Sequence, residues 1–288
     1  MMKKMAFILP CLLLFLGCER TKTQPETIVV EGWIEDGKHP VVLLHRAAQL
    51  TDKEIGTDEM VKQSLIYTAN IMVSDGADSV QLIGKIDTTM LPPYYYHNVR
   101  ITGQTGKSYT LTVNYYGQKL TAVTTIPSIV PIDSVSVSSI NGKDKKKEVI
   151  VHFKDNAATA DYYALFYRTG QKRQYVLASL GIRDDSAQQG QSIEWRLNRS
   201  YTLLDSSKDF YFSAGDTVLV KLSHLDADSY TFWTSFASTS EANTWIFMPK
   251  AQISTNIEGG LGYWCGYGSD EKQLIIPESD TTFVYTDE

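Results

Sequence analysis

The residue with the clearest chemical prospect is Cys18. It closes the opening run MMKKMAFILPCLLLFLGC, in which Lys3 and Lys4 are basic and Met5 to Leu16 is almost wholly apolar. That stretch is well short of the ~20 residues a membrane-spanning helix needs, and it fits a secretory leader. Gly17 puts a small residue directly before the thiol, the pattern of a bacterial lipoprotein signal. Residues 1–17 therefore read as a signal peptide, Cys18 as an acylated first residue, and 18–27 as a solvated tether. Each buried acyl methylene adds ~0.8 kcal/mol of membrane affinity, so several chains on one cysteine anchor a protein stably.

Beyond Cys18 the chain offers few reactive constellations. Gly106-Lys107-Ser108 ends like a nucleotide-binding loop, but Ile101 stands where the first glycine belongs. A strand follows it, whereas phosphate cradling needs a glycine-rich turn feeding a helix. None of His39, His45, His97, His152 and His224 has the i, i+4 spacing of a zinc helix. Asp75 with Asp78, and Asp226 with Asp228, pair carboxylates without a twelve-residue calcium loop, so turn and cap duty is the simpler reading. There is no G-x-S-x-G elbow. Cys265, between Trp264 and Gly266, reads as a small buried hydrophobe. No catalytic residue, metal site or cofactor is expected, and the chain is read as a non-enzyme.

What stands out instead is aromatic content: 17 Tyr, 10 Phe and 5 Trp. Neighbouring residues in a strand face opposite sides, so runs such as Tyr94-Tyr95-Tyr96 must turn at least one ring away from a single core. Tyr94, Tyr96, Tyr116 and Tyr263 are the candidates for a partner or ligand surface.

The elements that position these residues are strands. The chain has 288 residues, 43% hydrophobic and 21% charged, enough for a sizeable core. A net charge of −6 argues against nucleic acid, and three cysteines exclude a disulfide scaffold or a four-cysteine zinc site. Period-two runs recur, split by turn signals: Thr27–Glu35 and Pro40–Arg46 around Asp36-Gly37, Ala69–Ser74 and Ser79–Ile83 around Asp75-Gly76, Ser108–Tyr116 and Lys119–Ile126 around Gly117. Tyr109, Leu111 and Val113 share one face of the last pair. Pro127 and Pro131 mark a boundary. Past it, Ile132–Ile140 turns at Asn141-Gly142 into a charged tip (Lys143–Glu148), and Asp161–Arg168, Gln174–Leu180, Ile193–Leu197 and Thr217–Leu222 continue the count. Asp228–Thr239 reads as a helix with Asp228 as cap and Tyr230, Trp233 and Ala237 on one stripe. Ile257–Gly268 and Gln273–Ile276 close the chain. The expected fold is all-β: two Ig-like or fibronectin-like β-sandwich domains, 28–127 and 132–288, with a short helical insertion in the second.

Several blocks carry a family resemblance: Cys18, VVEGWIEDG (Val29–Gly37), YTLTV (Tyr109–Val113) with Ile126-Pro127, IDS (Ile132–Ser134), GDTVLVKLSHLDADSYTFWTS (Gly215–Ser235) and NIEGGLGYWCGY (Asn256–Tyr267). Together these resemble the DUF4249 lipoproteins of Bacteroidetes. The resemblance implies an outer-membrane lipoprotein held by its N-terminal lipid, typically encoded near TonB-dependent receptors, with the cell surface slightly favoured over the periplasmic face. It implies no defined activity and no particular ligand. The resulting expectation is a non-enzymatic accessory or binding component of a TonB-dependent transport system. The alternatives are a surface adhesin or structural lipoprotein, and a hydrolase whose composite site sits in a pocket near the glycine-rich terminal strand.

Overall fold

Turn chemistry sets most of the local structure. A computed structural model describes residues 26–47, 57–140, 143–170, 173–200, 202, 209–238 and 253–285. The expected leader, Cys18 with most of the expected tether, and the turn expected at Asn141-Gly142 lie outside the described residues. β1 (Ile28–Glu35) and β2 (Val41–Arg46) form the hairpin expected at Asp36-Gly37, with Gly37 at φ 69°. A short helix, α1 (Thr57–Ser64), follows where no helix was expected. β3 (Asn70–Ser74) pairs with β4 (Ser79–Gln81), and β5 (Ile83–Ile86) with β6 (Tyr94–His97). β7 (Ser108–Tyr115) and β8 (Gln118–Thr125) join through Tyr116 and Gly117, both left-handed at φ 43° and 81°, as a type I′ hairpin requires. Tyr109, Leu111 and Val113 are buried on one face of β7, as the alternation indicated.

After the prolines, β9 (Ile132–Ile140) pairs with β10 (Lys143–Lys154), so the charged stretch 143–148 is strand and not a loop tip. β11 (Tyr162–Thr169), β12 (Val176–Asp184), β13 (Ser192–Arg196), β14 (Phe212–Ser213) and β15 (Thr217–Leu225) precede α2 (Ala227–Ser238). The cap of α2 is Asp226 rather than Asp228: its Oδ1 accepts the Ser229 amide at 2.8 Å. Its Oδ2 takes the Thr124 hydroxyl at 2.7 Å, which ties the helix start to β8. The buried residues of α2 are Ser229, Phe232 and Trp233, so the expected stripe holds only at Trp233. The two closing runs are one long strand, β16 (Leu261–Ile275), followed by β17 (Thr281–Val284).

Three sheets result, and the all-β sandwich expectation holds. One has eight strands in the order β12-β11-β15-β16-β1-β2-β6-β5, one has β13-β10-β9-β17 with β14 on β10, and one has β4-β3-β7-β8. Two hydrophobic cores lie between them. The first gathers Ile28, Val30, Ile71, Tyr109 and Leu111; the second gathers Val135, Val151, Phe153, Leu165 and Val220. These fall on either side of the expected boundary at 127–132, yet the eight-stranded sheet crosses it. β16 runs parallel to β1 and antiparallel to β15, giving Trp264 to the first core and Leu274 to the second. The glycines of β16 make this possible. A Cβ on Gly262 (φ 102°) would sit 1.9 Å from the Val30 carbonyl, and one on Gly266 would sit 2.8 Å from that of Thr125.

Candidate functional site

The face of the long sheet turned away from both sandwich cores carries the site. Along β1, Ile28, Val30 and Ile34 enter the first core, so Glu31, Trp33 and Glu35 emerge on the other side. Tyr263, Cys265 and Tyr267 do the same on β16, Phe166 on β11 and Lys221 on β15. Packing of α2 across part of this face puts Phe232 4.6 Å and Trp233 5.3 Å from the Tyr263 ring. Beside the helix is a cavity of about 990 Å³, bordered by Trp33, Tyr95, Phe166, Tyr175, Trp233 and Tyr267.

Two loops clasp each other at its rim. The side chain of Gln174 donates to the Leu91 carbonyl at 2.6 Å and accepts the Leu91 amide in return. The Arg173 amide donates to the Thr89 carbonyl at 3.0 Å, and its guanidinium to Asp87 at 2.9 Å. The hydroxyl and amide of Thr89, with help from Arg173, hold the Asp87 carboxyl down to about 2. Since its folded pKa is below the ordinary ~3.9, Asp87 supports the clasp fully above that value and loses its grip as pH falls toward about 2. Asp87→Asn should therefore speed hydrogen exchange at the Arg173 amide at neutral pH. Unchanged protection would show that the clasp closes without this carboxylate.

A chain of charges crosses the cavity floor. Glu35 and Lys221, each about 4% exposed, pair at 2.9 Å. Lys38 bonds Glu35 at 2.9 Å and also reaches Glu271. Burial alone would raise the Glu35 carboxyl, but Lys221 and Lys38 more than offset it, leaving its pKa below the usual range. The Lys221 ammonium is also boxed by rings, 4.4 Å from the centroid of Tyr175, 5.1 Å from Phe166 and 5.4 Å from Tyr267. A carboxylate held ionised between two ammoniums fixes shape and charge and is ill suited to giving up a proton.

The four tyrosines expected to form a partner or ligand surface separate. Tyr116 is exposed in its turn. Tyr94 is half-buried, edge-on to Tyr67 and Tyr96. Tyr96 takes the core side of β6 and donates to the Ile66 carbonyl at 2.9 Å, so it is no surface residue. Tyr263 is buried beneath α2 but borders the cavity. Cys265 is fully buried beside it, and burial pushes its thiol up to about 12. At pH 8 the folded protein should resist iodoacetamide at Cys265, and full labelling should appear only on denaturation; labelling of the native fold would contradict this burial.

The other constellations have partners within the fold. Asp75 accepts the amides of Ala77 and Asp78 in its turn. Asp155, Asp161 and Asp185, all buried, bring ligand oxygens within 4.8 Å of one another, and such an oxygen set suits a hard cation. Those oxygens already receive the Tyr163 hydroxyl, the Gly190 amide and the Asp161 amide, with His224 3.3 Å from Asp161. His152 has Ser136 at 2.8 Å from Nε2 and Glu194 at 3.8 Å from Nδ1, the order of a hydrolytic triad. However, β9 is paired along both edges beside Ser136, so its neighbouring amides are engaged in the ladder and not poised to hold an oxyanion. His45 links Ser64 and Glu31 in the same fashion, but Ser64 is buried and spends its proton on the Val61 carbonyl.

Comparison with known families adds one finding. The family model described as a domain of unknown function, DUF4249, matches residues 19–273. The chain belongs to the DUF4249 family. None of the curated proteins matches it. In this DUF4249 chain the match takes in every residue that borders the cavity. The sequence pointed to the terminal Tyr263 region but missed Glu35, Lys38 and Lys221. The signal available was the pattern Glu31-x-Trp33-x-Glu35, which sets acids and an indole on the second face of an otherwise apolar strand.

Proposed function

We propose that this chain is a non-enzymatic, lipid-anchored binding component that works beside a TonB-dependent receptor at the outer membrane. The observation that carries the binding role is the aromatic-walled cavity of about 990 Å³, at the upper end of the range typical of small-molecule sites. Anchoring rests on Gly17-Cys18 at the end of the short apolar leader. The receptor association rests on the family resemblance of the sequence blocks. Tagged protein captured from detergent-solubilised membranes should bring down a TonB-dependent receptor, and Cys18→Ala should release the chain from the membrane. Repeated capture without any such receptor sinks the association. Membrane retention of the Cys18→Ala chain sinks the anchor.

A further inference from the structure

We infer that the cavity takes a ring-bearing organic acid: a flat body against the aromatic floor and an acidic group toward the wall formed by Lys85 and His97. This rests on the binding role proposed above and names the ligand chemistry of that site. The first ground is charge. The whole chain carries −6, yet five cations border the cavity (Lys38, Lys85, Arg168, Arg173 and Lys221) against three carboxylates, Glu31, Glu35 and Glu271. The balance stays positive when Arg173 is set against Asp87 behind it. An acidic protein with a locally cationic recess focuses its field on anions there.

The second ground is which cations are already satisfied. Lys221 and Lys38 are spent on Glu35 and Glu271. Lys85, exposed on β5, has no carboxylate within ion-pair reach among the described residues. His97 lies directly across the β5–β6 and β2–β6 ladders from Ile83 and Val41, with its ring tilted 50° and 5.5 Å from that of Tyr95. Burial lowers its pKa, and the neighbouring Lys85 adds to that lowering, so the two side chains face the same region of the wall. The third ground is shape. Trp33, Tyr95, Phe166 and Trp233 border the cavity, and an aromatic lining suits flat aromatic or sugar rings better than a branched aliphatic chain.

The test uses two fluorescent probes of similar size, the anion 8-anilinonaphthalene-1-sulfonate and the neutral N-phenyl-1-naphthylamine. The anion should bind saturably at one site. Lys85→Glu, on an exposed edge strand where the fold tolerates it, should weaken the anion about tenfold, as expected for loss of one charge-assisted contact, and leave the neutral probe unchanged. Trigalacturonate and 1-naphthoate then identify the source. Displacement by the first points to acidic sugars, displacement by the second alone to aromatic acids, and displacement by neither overturns the inference. Equal loss of both probes, or anion binding indifferent to Lys85→Glu, also overturns it while leaving the cavity as a binding site. If neither probe binds, the binding role falls as well.

Discussion

Replacing Lys221 with Met is expected to destabilise the fold by about 3–5 kcal/mol, toward the lower figure because Lys38 still reaches Glu35. Met keeps most of the volume inside the ring box of Phe166, Tyr175 and Tyr267, so the loss reports the charge and not a cavity. The cost arises because Glu35 stays buried with half its compensation gone. Pairing Lys221→Met with Glu35→Gln removes both charges and should recover most of the loss, a non-additivity that a double-mutant cycle from urea titrations measures directly. The sign with pH follows from the lowered Glu35 pKa. The pair's contribution is complete above the ordinary ~4.3 of a glutamate and declines as pH falls below it, so wild type and Lys221→Met should converge in acid. A single-variant loss below about 1 kcal/mol at neutral pH, or strict additivity in the cycle, would contradict this account.

Trp264→Ala should cost a similar amount, about 3–5 kcal/mol, through a different mechanism. The indole is fully buried in the first core and donates to the Tyr109 carbonyl at 2.9 Å. It lies against Gly32, where a Cβ would come within 2.8 Å of the ring, so this neighbour has no side chain with which to fill the space the indole leaves. Asn256 brackets the same residue from its backbone, accepting its amide at 2.9 Å and donating to its carbonyl at 2.8 Å. Trp264→Phe should retain much of the packing and lose mainly the hydrogen bond, roughly 1–2 kcal/mol. If Phe and Ala prove equally damaging in urea melts, the bond rather than the volume dominates and the cavity argument is wrong.

Local structure was legible in the residues wherever it depended on local chemistry. Asp36-Gly37, Asp75-Gly76 and Tyr116-Gly117 each place a left-handed glycine in the turn between paired strands, and the alternation in β7 names its buried face correctly. Helix α2 was visible from its apolar spacing, but its cap was displaced by two residues because Asp226 and Asp228 are equally good cap types. The choice between them is made by Thr124 and Thr125, which also bind Asp226 and lie far away in the chain. Helix α1 gave little warning, with only Val61 as an apolar anchor in TDEMVKQS beyond Met60. The site itself was largely invisible. Glu35, Lys221 and Glu271 meet only because β1 lies parallel to β16 and β16 antiparallel to β15, and no short-range pattern announces a parallel pairing between the two ends of a chain. In the tyrosine run 94–96, alternation says that faces differ but not which of them meets a neighbour, and Tyr96 lies on the core side, against the expectation.

The parallel union of β1 with β16 has a mechanical corollary. β1 begins at Ile28, the first strand after the segment that leads to Cys18, and it is gripped by β16 on one side and β2 on the other. A tug arriving from that end pulls β1 along its own length and loads both rows of backbone bonds together, instead of peeling them apart one at a time. Under the anchoring proposed above, the strand that would take the load is one fastened along both edges.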